Sequence, residues 1–344
     1  MEGSAQSDWY SVPLRRGSEG IARTTSRLTW RNHVDHILAR FAVNRGGHRV
    51  RPGLYALGKP DSKSPVLVTA NYTLSFDAVR SALPGKDAYI LVLDTDGINV
   101  WCAAGKGSFG TDELVRRIEE VGLSEVVTHH NLILPQLGAP GVSAQEVKKR
   151  SGFRVEYGPV RASDLPEYLQ THRASEEMRR VRFDLLDRLT LIPVEAVGWS
   201  LPTLLVAALA FLLSGWRMAA GVVAAASAGV VLFPILLPWL PTREFSTKGF
   251  LLGGVVAAPF AAAAAGQSAG LPVLWRLAVA LTYLLPLPAV TAFLALNFTG
   301  STPVASRSGV RREINTYVPV MAAMLVLGLI LTLIVKWFIR AGGI

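Results

Sequence analysis

Three scarcities bound what this 344-residue chain can be. It has one cysteine, Cys102, which excludes a disulfide framework and any iron–sulfur cluster built by this chain alone. Charged residues make up 17% of the sequence against 50% hydrophobic ones, and the mean hydropathy is +0.34. Soluble domains carry about a quarter charged residues, so membrane segments are expected. Acidic residues almost vanish from Glu195 onward. The first residues, with Asp8, Arg15 and Arg16 among polar neighbours, lack an apolar run, and no secretory signal is expected.

The apolarity lies in the second half. Spans long enough to cross a bilayer can be drawn at 191–213, 218–240, 249–271, 274–297 and 317–338. The expected organisation is an N-terminal extension (1–60), a soluble domain (61–187) and a transmembrane domain (188–344). The net charge of +10 could serve nucleic acid, but much of it sits at helix ends. Anionic headgroups suit it better there, and no nucleic-acid partner is expected. Arg182 and Arg188 precede the first span, Arg243 and Lys248 follow the second, and Arg307, Arg311 and Arg312 follow the fourth. The other loops carry essentially Arg217 and Arg276. Positive charge stays inside, so the soluble domain is expected in the cytoplasm, on a multi-pass cytoplasmic (inner) membrane protein whose C-terminus is outside. The small-residue runs Gly221–Gly229 and Gly253–Gly266 read as close helix packing. Glu195 reads as interfacial, with an intramembrane functional role as the alternative. The bundle has no cysteine and only scattered methionines, so it reads as an anchor and not as a soft-metal channel.

Residues 1 to about 60 are assigned no chemistry, although Trp30–Ala42 has an amphipathic pattern ended by Gly46-Gly47 and Pro52-Gly53. Beyond residue 65 apolar runs alternate with helical patterns. Strands are expected at Val66–Thr69, Tyr89–Leu93, Glu125–Thr128 and Phe153–Glu156. Helices are expected at Ser75–Leu83, Asp112–Val121, Ala144–Arg150 and Ser163–Leu169. This alternation predicts an α/β, Rossmann-like, mainly parallel sheet covered on both faces, with ligands beyond the carboxyl ends of its strands. Four unusual loops fall there: Thr69–Tyr72, the Cys102 stretch, His129-His130 through Gly141, and Tyr157–Arg161.

The Cys102 stretch is the one the others surround. Asn99 is a good helix N-cap, and Gly105 and Gly107 stop the helix, leaving one short turn with Cys102 near its N-terminal end. The free N–H groups and the dipole favour a thiolate there, and Lys106, four residues on, adds positive charge on the same face. Gly105-Lys106-Gly107-Ser108-Phe109-Gly110 matches G-x-G-x-x-G, yet about eleven residues separate it from Leu93, too many for a dinucleotide fingerprint. A Walker loop fails because Gly107 follows Lys106. Adjacent His129 and His130 point opposite ways on an extended segment; one of them as a pocket hydrogen-bond donor fits better than a metal site.

Asn99-Val100-Trp101-Cys102-Ala103-Ala104-Gly105-Lys106 resembles the cap-helix signature of the mercury-methylating corrinoid protein family (HgcA). Thr69-Ala70-Asn71-Tyr72 with Ser75-Phe76-Asp77, the Leu134–Gly141 loop and Gly158-Pro159-Val160-Arg161 resemble the corrinoid domain of the corrinoid iron–sulfur proteins of acetyl-CoA synthesis. The resemblance covers about residues 60–185. It implies a corrinoid-binding domain with a cap helix, followed by an all-α bundle of five membrane helices. It also implies that Cys102 is the catalytic residue and binds cobalt as the lower axial ligand of a cobamide. Further cofactor contacts are expected from Thr69, Asn71, Asn99, Val100, Trp101, Ala103, Ala104, Gly105, Lys106 and Gly107. The same is expected of Phe109, Gly110, Thr111, His130, Gln136, Leu137, Gly138, Ala139, Pro140 and Gly141, and of Gly158, Pro159 and Val160.

Thiolate is a soft, strong donor, and the axial ligand is a main lever on a cofactor's reactivity. Donation trans to a methyl–cobalt bond makes the methyl group more carbanion-like, which suits a soft electrophile such as Hg(II). No D-x-H-x-x-G run, the histidine-ligated pattern, occurs. Carbanion loss leaves Co(III), so an external reductant is required; the family implies a small ferredoxin with [4Fe–4S] clusters. A methyl-donor protein or a methyl-tetrahydrofolate system would supply the methyl group. The expected function is therefore a membrane-anchored methyltransferase acting on Hg(II). Direct binding of mercury by Cys102 is a competing role for the thiol. A corrinoid methyl carrier of a one-carbon or acetyl-CoA-type pathway is the alternative function, although such carriers usually own cluster cysteines and lack a membrane bundle. A non-catalytic membrane receptor is a third reading. The polar segment Asn297–Pro303 with Ser308–Val310 is expected to touch the soluble domain or the ferredoxin.

Overall fold

The computed structural model describes residues 21–303 and 305–340, so the start with Asp8, Arg15 and Arg16 lies outside the described residues. The chain divides into two compact units between Val181 and Arg182.

The first unit is built on six strands: β1 (Ala22–Thr24), β2 (Gly53–Leu57), β3 (Val66–Ala70), β4 (Ala88–Leu93), β5 (Asn131–Leu134) and β6 (Arg154–Tyr157). Their order is β1-β2-β4-β3-β5-β6. β4, β3, β5 and β6 run parallel, and β2 joins β4 antiparallel from Gly53↔Val92 to Leu57↔Ala88. β3 and β4 are buried along their whole length, as a sheet covered on both faces requires. Their alternate side chains feed two cores. Val68, Leu91 and Leu93 meet Phe109, Leu114 and Val147 on one face. Leu67, Ile90 and Val92 meet Phe76, Leu165 and Tyr168 on the other.

The helices of this unit are α1 (Trp30–Arg40), α2 (Thr73–Ser81), α3 (Val100–Lys106), α4 (Thr111–Glu120), α5 (Leu123–Val126), α6 (Ala144–Ser151), α7 (Leu165–Thr171) and α8 (Glu176–Arg179). Two corrections to the sequence expectations follow. Residues 125–128 are not a strand: Gly122, at φ +57°, starts the helical turn α5, which buries Leu123 and Val127. The strand of that region is β5, in the stretch expected to be loop. Thr128 N–H donates to the Ser62 carbonyl (2.9 Å) and His129 Nε2 bonds the Ser64 carbonyl (2.8 Å), which brings Asn131 into line beside β3. The sheet also begins before residue 61, because β1 and β2 belong to it.

The second unit contains, among the described residues, five helices long and apolar enough to cross a membrane: Leu185–Ser214, Trp216–Leu236, Phe245–Gln267, Val273–Ser301 and Ser308–Arg340. Ser308–Val310, expected to be loop, begins the last of them. Close packing by small residues is seen where a Cβ on Gly249 would lie 2.5 Å from Ala292 Cα and one on Gly253 2.7 Å from Pro288 Cα. Gly221 and Gly229 are similarly filled by Leu287 and Leu294, whereas Gly254 and Gly266 meet nothing. Several buried or half-buried polar groups of this unit are paired among the described residues. Buried Glu313 accepts from the Phe245 and Ser246 N–H groups, capping the third helix. Arg188 donates to the Pro234 and Ile235 carbonyls, and Glu195 accepts the Ser301 hydroxyl at 2.8 Å.

Candidate functional site

α3 forms as its sequence dictates. Asn99 Oδ1 accepts the Cys102 N–H at 2.9 Å, and Gly107, at φ +91°, ends the helix in the left-handed region. Val100, Ala103 and Ala104 face the core. Trp101, Gly105 and Lys106 are exposed, and Cys102 is half-buried with a free thiol. No hydrogen bond engages its sulfur among the described residues.

One side chain makes four of the hydrogen bonds that hold the loop leading to α3. Asn71, 2% exposed at the end of β3, donates from Nδ2 to Asp94 (3.0 Å). Its Oδ1 accepts from Thr95 N–H (3.1 Å), Thr95 Oγ1 (2.9 Å) and Gly97 N–H (2.9 Å). Asn71 thus spends its hydrogen-bonding capacity on the protein and positions α3.

The loop after β5 fits against α3 from the other side. A Cβ on Gly141 would lie 2.2 Å from the Phe109 carbonyl oxygen and 3.0 Å from Ala104 Cα; one on Gly138 would strike the Phe109 ring at 2.5 Å. Gly110 lies as close to the Gly107 carbonyl. Thr111 Oγ1 accepts the Ser143 N–H, and the Tyr157 hydroxyl donates to the Val142 carbonyl at 2.6 Å. Burial pushes the Tyr157 hydroxyl above its ordinary pKa, so it stays a donor. Gln136 accepts from Arg179 at 3.3 Å, while Ala139 is half-buried and Pro140 exposed. These residues build the cap's seat. By contrast, Gly105 and Gly107 have open space where a Cβ would project, and the buried Ser108 hydroxyl has no partner among the described residues.

Beside α3 lies a mainly apolar cavity of about 270 Å³, at the carboxyl ends of the parallel strands. Expected site residues Thr69, Asn99, Val100, Trp101, Leu137, Pro159 and Val160 line it. Gly158 positions the last two, its N–H bonding the Leu134 carbonyl at 2.8 Å. Cys102 does not line the cavity but adjoins Trp101, which does. His130 is not brought to this edge. It precedes β5 and its ring lies tilted against Phe153 at the amino ends of the strands, so it cannot be a pocket donor here. Ser75 and Arg161, quoted in the resemblance but not among the expected contacts, also line it, and the sequence reading missed Ala78, Val79 and Leu165. The i, i+3, i+4 spacing of the α2 residues was the available signal.

Comparison with known proteins gives this geometry its setting. A family model described as CO dehydrogenase/acetyl-CoA synthase delta subunit matches residues 39–169, which include α3 and every cavity wall. The chain is similar to acetyl-CoA decarbonylase/synthase complex subunit gamma of Methanopyrus kandleri, 36% identical over 128 residues (37% of this chain, 27% of the relative). The Methanothermobacter thermautotrophicus subunit gamma is 37% identical over 122 residues (35% and 26%). Subunit gamma 2 of Methanosarcina thermophila is 36% identical over 121 residues (34% and 25%). The chain spans about a quarter of the length of these relatives.

Proposed function

We propose that the first unit binds a cobamide and carries a methyl group for one-carbon chemistry, and that the five apolar helices hold the unit at a membrane. The observation that supports it most is the free Cys102 thiol on α3 beside an apolar cavity, within the segment similar to acetyl-CoA decarbonylase/synthase subunits. The residues fit such a group: one soft donor, an orphaned buried hydroxyl on Ser108 and open Cβ positions at Gly105 and Gly107.

When bound, the cobamide supplies a metal-held methyl group. Cys102 would hold the cobalt, with Asn99 and Asn71 fixing the helix that carries it. Trp101, Leu137, Pro159 and Val160 would cover apolar parts of the cofactor and exclude water. A methyl-donor protein or methyl-tetrahydrofolate system would supply the methyl group, and a small [4Fe–4S] ferredoxin would be needed as stoichiometric reductant only where the methyl group leaves as a carbanion, as to Hg(II). The first unit and the basic loops would face the cytoplasm and the C-terminus the outside.

For the acceptor, similarity to acetyl-CoA decarbonylase/synthase subunits favours a carbon-pathway partner over mercury. Hg(II) is the second reading, favoured by the sulfur donor on α3, which would enrich electron density on the methyl group. The test is the anaerobic absorption spectrum of cobamide-loaded protein, wild type beside Cys102→Ala. Thiolate ligation present in the first and lost in the second is expected; identical spectra would overturn it. Methylmercury formed by the methylated protein on adding Hg(II) would then select the second reading.

A further inference from the structure

α1 is amphipathic in the wrong sense for a helix that only packs on a domain. Three of its polar residues, Asn32, Asp35 and His36, face inward. Asp35 bonds His48 at 2.7 Å and Thr73 at 2.6 Å, His36 bonds Asp77 at 2.8 Å, and Asn32 is buried. Its apolar residues face out: Trp30 is 70% exposed and Ile37 55%, with Val34, Leu38, Phe41 and Val43 all at least 40%. Positions 30, 34, 37, 38 and 41 form one helical stripe. Arg31 and Arg40 flank that stripe on its two sides, and Arg27 and Arg45 bracket the segment. Asp35, the acid of residues 21–45, is turned away from it.

We infer that the outward face of α1 lies on the anionic surface of the bilayer that the five apolar helices enter. This rests on the membrane reading given above. An apolar stripe with an aromatic residue and arginines along its borders is the pattern of an interfacial helix, and the arginines complement anionic headgroups. The inward polar face, held to α2 by Asp35 and His36, leaves the stripe with no core of its own to enter. The first unit is then held at two places, by its covalent link to the helices and by α1.

The test uses the full chain in a Cys102→Ala background, reconstituted in vesicles of phosphatidylcholine alone or mixed with phosphatidylglycerol. One preparation carries a fluorophore on Val34→Cys, a second on Leu327→Cys in the last apolar helix. Nitroxide-labelled lipids report contact. The expected result is shallow quenching at position 34 that grows with phosphatidylglycerol and falls in high salt. Arg31→Gln and Arg40→Gln should each reduce docking about five-fold. Deep quenching at 327 with none at 34 overturns the inference and leaves the anchor standing. A blue-shifted, unquenched label at 34 overturns it too, because protein then covers the face. No quenching at 327 overturns the membrane reading and this inference with it.

Discussion

Asn99 Oδ1 accepts the backbone N–H of Cys102 at 2.9 Å, so the residue that starts α3 also fixes the one that carries the thiol. Removing this cap costs about 1 kcal/mol. Asn99→Ala should lower the stability of the first unit by that amount in urea unfolding and weaken cobamide binding. Asn99→Asp, which keeps the acceptor, should retain both; equal loss in the two variants would refute the capping role.

Two glycines near α3 separate fold from ligand. Gly141→Ala forces a Cβ to 2.2 Å from the Phe109 carbonyl and should destabilise the unit by about 1–3 kcal/mol. Gly105→Ala meets no protein atom and should leave stability unchanged or raise it by about 0.5–1 kcal/mol. If Gly105 lies under the cofactor, the alanine lowers cobamide affinity in a titration all the same. Unchanged affinity would remove Gly105 from the site.

Asn71→Ala leaves the Thr95 and Gly97 N–H groups without their acceptor and should cost about 3 kcal/mol. Asn71→Asp keeps that acceptor but sets a carboxylate against Asp94. Thermal unfolding should therefore rank wild type above Asp, and Asp above Ala. Cobamide affinity should follow the same order if Asn71 acts by placing α3.

Tyr55 is buried, and burial lifts its hydroxyl pKa from 10.0 to about 12, against a smaller lowering by Arg51. The folded state thus holds the proton more tightly than the unfolded one. The stabilisation is fully present below pH 10 and disappears as the pH rises towards 12. Over that window stability should fall by about 2–3 kcal/mol. Tyr55→Phe should flatten this part of the alkaline unfolding curve while losing the bond to the Arg51 carbonyl.

Most of the first unit's framework was legible because β3 and β4 are continuous apolar runs and α3 is bracketed by Asn99 and Gly107. β5 was missed because Val126 and Val127 imitate a strand while Gly122 quietly begins a helix, and backbone pairing of Thr128 with Ser62 is invisible in one dimension. Gly138 and Gly141 were expected as cofactor contacts, and the protein partner they make room for was not legible. Gly138 and Gly141 make room for Phe109 and α3. Asn71 was placed at the site, yet its role as a clamp depends on residues more than twenty positions away. His130 failed for a geometric reason: the segment after α5 returns to the amino edge before β5 starts.

The cavity beside α3, at about 270 Å³, falls just short of the ~300–1,000 Å³ that encloses a drug-sized ligand, and a cobamide is larger still. A carrier that swallows its cargo must open and close once per delivery. One that grips it by a single side needs no gate, and its throughput is set by encounter. If the proposed carrier is tethered to a surface, search through bulk solution gives way to a high local concentration of whatever shares that surface. Selectivity for the acceptor would then reside in who is allowed to stand nearby.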